Sequence, residues 1–202
     1  EIRREDAFFA FPIQREFYNA NLRNVKERTV VIISDAMRYE VGQELFSRMQ
    51  DNPKCTANLS AQLSVLPSYT RLGMAALLPH STLELTDDFR VLVDGGLCDN
   101  LAGRQQILQK YNPDSVCVQF DDIKNLKVAE LRQVLTNRQI IYVYHNQIDA
   151  RGDKANTEDE VFNACEEAIQ EIMDVIQRIS VSGNTYHFIV TADHGFIYKR
   201  DK

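Results

Sequence analysis

The chain has 202 residues, 44% of them hydrophobic and 26% charged, and a formal net charge of -6 at pH 7. That length and apolar fraction suit one folded domain with a real core and exclude a disordered or low-complexity chain. The acidic balance, with basic residues scattered, excludes a nucleic-acid footprint built on charge alone, so an anionic ligand would need local help such as a metal.

Cys55, Cys98, Cys117 and Cys165 lie far apart with no CxxC spacing, which argues against a zinc knuckle or a disulfide framework. Reduced thiols in a cytoplasmic protein are the expectation. No apolar run approaches the roughly 18 residues of a transmembrane helix. The chain opens on EIRRED and stops at YKRDK, which reads as a piece of a larger protein.

In chain order, TVVIIS (29–34) is continuous, β-branched and short, the pattern of a strand buried on both faces. YEVGQELFSRM (39–49) follows with helical spacing. NLSAQLSVL (58–66) reads as a strand, and RLGMAALL (71–78) as a short helix capped by Thr70 or Ser68. DFRVLVDGG (88–96) reads as a strand ending in a glycine turn, LAGRQQILQKY (101–111) as a helix and SVCVQF (115–120) as a strand. VAELRQVL (128–135) is helical, and RQIIYVYH (138–145) is a strong strand. A long amphipathic helix spans 157–180, opened by Thr157 and Glu160 in the S/T-x-x-E capping pattern, and TYHFIVTA (185–192) closes the series as a strand. Strands alternating with helices predict an α/β domain over 1–202, with a mainly parallel sheet and helices on both faces.

Ligands of such sheets bind at the carboxyl ends of the strands, and those ends carry the polar residues. TVVIIS runs into Asp35, the 58–66 segment into Ser68 and Thr70, IIYVYH into Asp149 and Asp153, and HFIVTA into Asp193 and His194. Taken singly, each has an ordinary reading as a helix cap or an Asp/Gly turn. Together, four carboxylates, a hydroxyl and an imidazole make a ligand set for divalent cations, and carboxylates packed that closely without a cation would repel one another.

The blocks VVIISDAMRYEVGQEL, LPSYTRLGMAALLP, YVYHNQIDARGDK and IVTADHGFIY, in this order, resemble the PglZ domain, an alkaline phosphatase superfamily branch found in bacterial phage-defence (BREX) systems. The resemblance runs from about residue 17 onward, and the wording is most similar to the type 1 BREX branch. It implies an alkaline-phosphatase-like core holding two divalent metals, Zn²⁺ or Mn²⁺ with Mg²⁺ allowed, over a Ser or Thr nucleophile. By that likeness one ion takes Asp35, the nucleophile, Asp193 and His194. The other takes Asp149 and the residue four positions later, where the family's histidine is replaced by Asp153; a further histidine downstream of the DHG block has no match before Lys202. Thr70 is the preferred nucleophile, with Ser68 and then Ser64 as alternatives. Arg38 and Arg71 are candidates for phosphate oxygens, and His145 for a third ligand or a supporting partner. His80 and His187 read as structural.

The implied function is a metal-dependent phosphohydrolase or phosphodiesterase acting on a nucleotide or nucleic-acid phosphoester, alongside other BREX proteins and away from membranes. The alternative is a catalytically silent PglZ-type scaffold within a defence complex.

Overall fold

The computed structural model describes residues 11–152 and 158–195. After a short helix α1 (Phe17–Asn21), strand β1 (Thr29–Ser34) enters the centre of the molecule with all six residues buried. It pairs in parallel with β6 (Ile140–His145) on one side and β7 (His187–Thr191) on the other, and β5 (Ser115–Gln119) adds to β6, giving the order β5-β6-β1-β7. The continuous apolar runs of β1 and β6 follow from this placement, because a parallel strand covered on both faces has no solvent side to make polar.

Side chains of a strand alternate between faces, and each face has its own core. Val31 and Ile33, Tyr142 and Tyr144, Cys117 and Ile189 pack with α1, with α3 (Thr70–Ala76) and with α4 (Leu101–Tyr111). Val30 and Ile32, Ile141 and Val143, Phe188 and Val190 pack against α2 (Tyr39–Gln50), α5 (Phe120–Ile123), α6 (Val128–Leu135) and the 26-residue α8 (Glu158–Gly183). The α/β architecture with helices on both faces is as expected. Helix α8 ends at Gly183, where Arg28 Nη1 donates to the Gly183 carbonyl at 2.9 Å and Arg132 Nε to that of Ser182 at 2.7 Å, satisfying acceptors left open at a helix C-terminus.

Three local expectations are corrected, and a fourth holds in a different sheet. The 58–66 segment is not a strand: it is tied by a single bridge between Leu63 and Ile13, so it lacks the run of backbone partners that a strand requires. The 88–96 segment is a strand ending in a glycine turn, as expected, but it stands outside the main sheet. Its Val91–Val93 (β3) lies between β2 (Leu83–Leu85) and β4 (Gly96–Leu97) in a separate antiparallel sheet, turning at Asp94 and Gly95, both at positive φ. The IDARGD stretch is a helix, α7 (Gln147–Gly152), not a turn as far as Gly152. Neither Thr70 nor Ser68 caps α3, whose N-cap is Tyr69 without a side-chain bond. The proposed cap at Thr157 lies outside the described residues.

Candidate metal centre

The carboxyl ends of β1 and β7 lie side by side, with Ile33 opposite Thr191 in register. Two residues further on, period-2 alternation returns Asp35 and Asp193 to the face that carries Val31 and Ile33, where α3 crosses. Both acids are deeply buried, at 5% and 0% exposure. Ala36 adopts φ +61° and its N–H donates to Asp193 Oδ1 at 3.2 Å, while the Asp35 N–H donates to the carbonyl of His145 at 2.8 Å. Two of the carboxylate oxygens, Asp35 Oδ1 and Asp193 Oδ2, are buried without a hydrogen-bond partner.

His194 closes the group. Its Nδ1 lies 2.9 Å from the Gly195 carbonyl, which can only accept, so this contact calls for a proton on Nδ1 and leaves Nε2 as the nitrogen that faces the acids. That nitrogen sits 2.9 Å from Thr70 Oγ1, 3.3 Å from Asp193 Oδ2 and 3.4 Å from Asp35 Oδ1. Asp149, delivered by the first turn of α7, completes a set with Asp35 and His194 whose ligand atoms all lie within 4.8 Å of one another.

The electrostatics show the cost of assembling these groups. Burial, with Asp193 and Asp149 alongside, pushes the Asp35 carboxyl up to about 8. Burial also raises Asp193, against the opposing pull of His194. Buried carboxylates converging on one point repel one another unless a cation or a proton sits between them. Hard oxygens with one imidazole suit Zn²⁺, Mn²⁺ or Mg²⁺. The residues present therefore fit a divalent ion held by Asp35, Asp149 and His194, with Asp193 beside His194, so Asp149, expected at the other ion, stands with the Asp35 group.

Other candidates fall elsewhere. His145 points to the opposite face of the sheet, because it stands one position past Tyr144. There its Nδ1 meets Ser34 Oγ at 3.1 Å, its Nε2 meets Glu171 Oε2 at 3.0 Å, and Phe120 packs edge-on at 4.6 Å. Both ring nitrogens are engaged away from the cluster, so His145 is not brought to it as a ligand. Ser68 and Ser64 are exposed, and Thr70 is the hydroxyl that reaches His194. Arg38 is held by Glu40 through two bonds of 2.8 and 2.7 Å, and Arg71 is exposed on the first turn of α3. His80 bonds the Leu78 carbonyl and His187 pairs with Glu27, both apart from the cluster. Asp153 lies outside the described residues.

The sequence model of the family described as "BREX system PglZ alkaline phosphatase-like domain" matches residues 15–202. The chain belongs to the PglZ family. It is 39% identical over 191 residues to the alkaline phosphatase-like protein PglZ of Bacillus cereus (strain H3081.97), covering 93% of this chain. It is 38% identical over 201 residues to the alkaline phosphatase-like protein BrxZ of Escherichia coli O9:H4 (strain HS), covering 98% of this chain. In both cases it spans 22% of the relative's own length.

Three residues of the site escaped the sequence reading. Gln14, 1% exposed, donates from Nε2 to the carbonyls of Ala192 at 3.0 Å and Asp193 at 2.6 Å, and its Oε1 accepts from the Val65 N–H at 3.1 Å. Gly73 lets α3 touch the Asp193 backbone. Arg104, on α4, lies over the Tyr144 ring, 4.7 Å from its centroid. Only Gly73 left a signal, a glycine inside an otherwise strong helical pattern. Among the described residues no helix is long and apolar enough to cross a membrane.

Proposed function

We propose that this domain is a metal-dependent phosphohydrolase of a BREX phage-defence system, with Thr70 as its nucleophile. The observation that carries the reading is the 2.9 Å approach of Thr70 Oγ1 to His194 Nε2, beside the buried and unpartnered oxygens of Asp35 and Asp193. A divalent cation bound there supplies positive charge that favours the alkoxide form of a hydroxyl and balances anionic phosphoryl oxygens.

The chain's own residues then do the rest. Thr70 is fixed by α3 against the β7 exit, so its oxygen is presented in one orientation. Its Oγ1 forms a bond to phosphorus, and the bond to the leaving oxygen breaks with that oxygen keeping the pair and taking up a proton. Water then attacks the phosphothreonine phosphorus and restores the hydroxyl. The substrate class is a phosphoester of a nucleotide or nucleic acid in the cytoplasm, and the partners are other proteins of the same defence system.

The test uses the full-length protein with Mn²⁺ or Zn²⁺ and the generic esters p-nitrophenyl phosphate and bis-p-nitrophenyl phosphate. Thr70→Ala and Asp193→Ala should each lower turnover by on the order of 10³ or more, and Thr70→Ser should retain part of it. Full activity in either alanine variant removes the assignment. A protein that takes up neither metal and hydrolyses neither ester points instead to a silent scaffold.

A further inference from the structure

The amino ends of the strands, opposite the metal centre, gather a second set of charged groups. Arg28 stands immediately before β1 and ties it to the chain entering both neighbouring strands. Its Nε donates to the Arg138 carbonyl at 3.0 Å, and its Nη1 to the Gly183 carbonyl at 2.9 Å and to Thr185 Oγ1 at 3.3 Å. Arg132, on α6, donates from Nε to the Ser182 carbonyl at 2.7 Å. All four acceptors are neutral, so these bonds orient both guanidinium groups and leave both formal charges in place. Neither arginine forms an ion pair among the described residues, and Arg28 Nη2 and both Nη groups of Arg132 have no acceptor there.

Both arginines line one cavity of about 520 Å³, together with Leu135, Val181 and Asn184. That volume lies in the range of small-molecule sites, roughly 300–1,000 Å³. The walls are of two kinds: oriented donors from Arg28, Arg132 and Asn184, and apolar surface from Leu135 and from Val181, which is 78% exposed. The C-terminus of α8 lies at this cavity and carries roughly half a negative charge, against two full positive ones, so an excess of positive charge remains. Arg28 is half-buried, which makes an unanswered charge costly. Seven residues of β1 separate Arg28 from Asp35, roughly 20 Å at the rise of a strand, so this cavity is no part of the metal centre.

We infer that this cavity binds a small organic dianion, a phosphate monoester or a dicarboxylate. Its oxygens take the free Nη donors of Arg28 and Arg132, whose planar forks suit either group, and its carbon body lies on Leu135 and Val181. The site stands apart from the phosphohydrolase reading and does not depend on it.

The experiment uses the full-length protein stripped of metal and then of chelator, so that no metal ion at the carboxyl edge attracts an anion. Phenyl phosphate and glutarate are the probes, at constant ionic strength. Arginines are modified with phenylglyoxal and the peptides read by mass spectrometry. Either probe should slow modification of Arg132 and leave that of Arg90, exposed on the small sheet, unchanged; which probe protects distinguishes phosphate from carboxylate. By titration calorimetry, Arg132→Ala should weaken binding of the protecting probe about tenfold or more, and Arg132→Lys should recover part of it. Val181→Glu sets a carboxylate on the cavity wall, leaves the bonds of Arg28 and Arg132 to the end of α8 in place, and should abolish binding, so it decides the matter even where Arg132→Ala does not fold. Arg132 modified as fast with both probes as with chloride at equal ionic strength overturns the inference. So does a Val181→Glu variant that binds the probes as the wild type does.

Discussion

Gly73 and Asp193 meet backbone to backbone: a Cβ placed on Gly73 would lie 2.8 Å from the Asp193 carbonyl carbon and 3.0 Å from its Cβ, with the carbonyl oxygen closer still. The contact lets α3 approach the end of β7 closely enough for Thr70, one turn earlier, to reach His194. Gly73→Ala must push the two elements apart. Overpacking of this kind costs about 1–3 kcal/mol, or roughly 2–12 °C in melting temperature for a chain of this size. The displacement should also lower phosphoester turnover by on the order of 10², more than the stability loss alone would. Calorimetry and the p-nitrophenyl assay check it, and an unchanged melting temperature would show that the approach is not rigid.

Gln14 holds the same backbone by hydrogen bonds to the Ala192 and Asp193 carbonyls. Gln14→Ala leaves two buried carbonyls and the Val65 N–H without their partner, at about 1–3 kcal/mol per unsatisfied group. Gln14→Glu should be worse, because it loses both donors and sets a carboxylate against two carbonyl oxygens. Chemical denaturation should rank the variants wild type, alanine, glutamate in falling stability; a glutamate variant as stable as wild type would contradict the hydrogen-bond assignment.

The sequence announced the parts of the fold that depend on period and composition. β1 and β6 are visible because strands covered on both faces must be apolar throughout, β7 because of its short run Phe188–Val190, and Asp35, Asp193 and His194 because they interrupt those runs at strand exits. The segment at 58–66 has strand-like composition but is fastened at Leu63 alone, and composition does not report whether a partner exists. Aspartate and glycine in IDARGD read as a turn, yet tertiary context makes the stretch up to Gly152 helical. His145 was readable in principle, since one step past Tyr144 it must face away from Asp35. Arg104 was not, because its contact with Tyr144 spans 40 positions and leaves no periodic trace.

His145 supports the sheet from its second face, so its removal should separate stability from metal content. His145→Ala leaves Ser34 Oγ buried without its partner and opens a cavity beside Phe120. About 2–4 kcal/mol of unfolding free energy should be lost. The number of Mn²⁺ or Zn²⁺ ions per chain, measured by plasma mass spectrometry at saturation, should stay that of the wild type. A drop in that number with stability preserved would make His145 a ligand after all.

Asp35 gives the metal-free protein an inverted pH dependence. Its carboxyl moves from an ordinary 3.8 up to about 8 on folding, chiefly through burial and then through Asp193 and Asp149. Between those values the folded state holds a proton that the unfolded state has released, so stability falls as pH rises through the window. Below about 4 both states are protonated and the contribution is fully present; above about 8 it is lost. Asp35→Asn removes this dependence, and the difference between wild type and the variant reports Asp35 together with the carboxylates that interact with it, Asp193 first. A bound cation reverses the preference, because the ligand must be the carboxylate and metal uptake then displaces the proton. The rise in melting temperature on adding saturating Mn²⁺ should therefore be larger at pH 8 than at pH 6 in the wild type, and smaller and flatter across pH in Asp35→Asn. Melting curves from pH 5 to pH 8.5, with and without Mn²⁺, decide the matter. An equal Mn²⁺ shift at both pH values would mean that Asp35 does not exchange its proton for the ion.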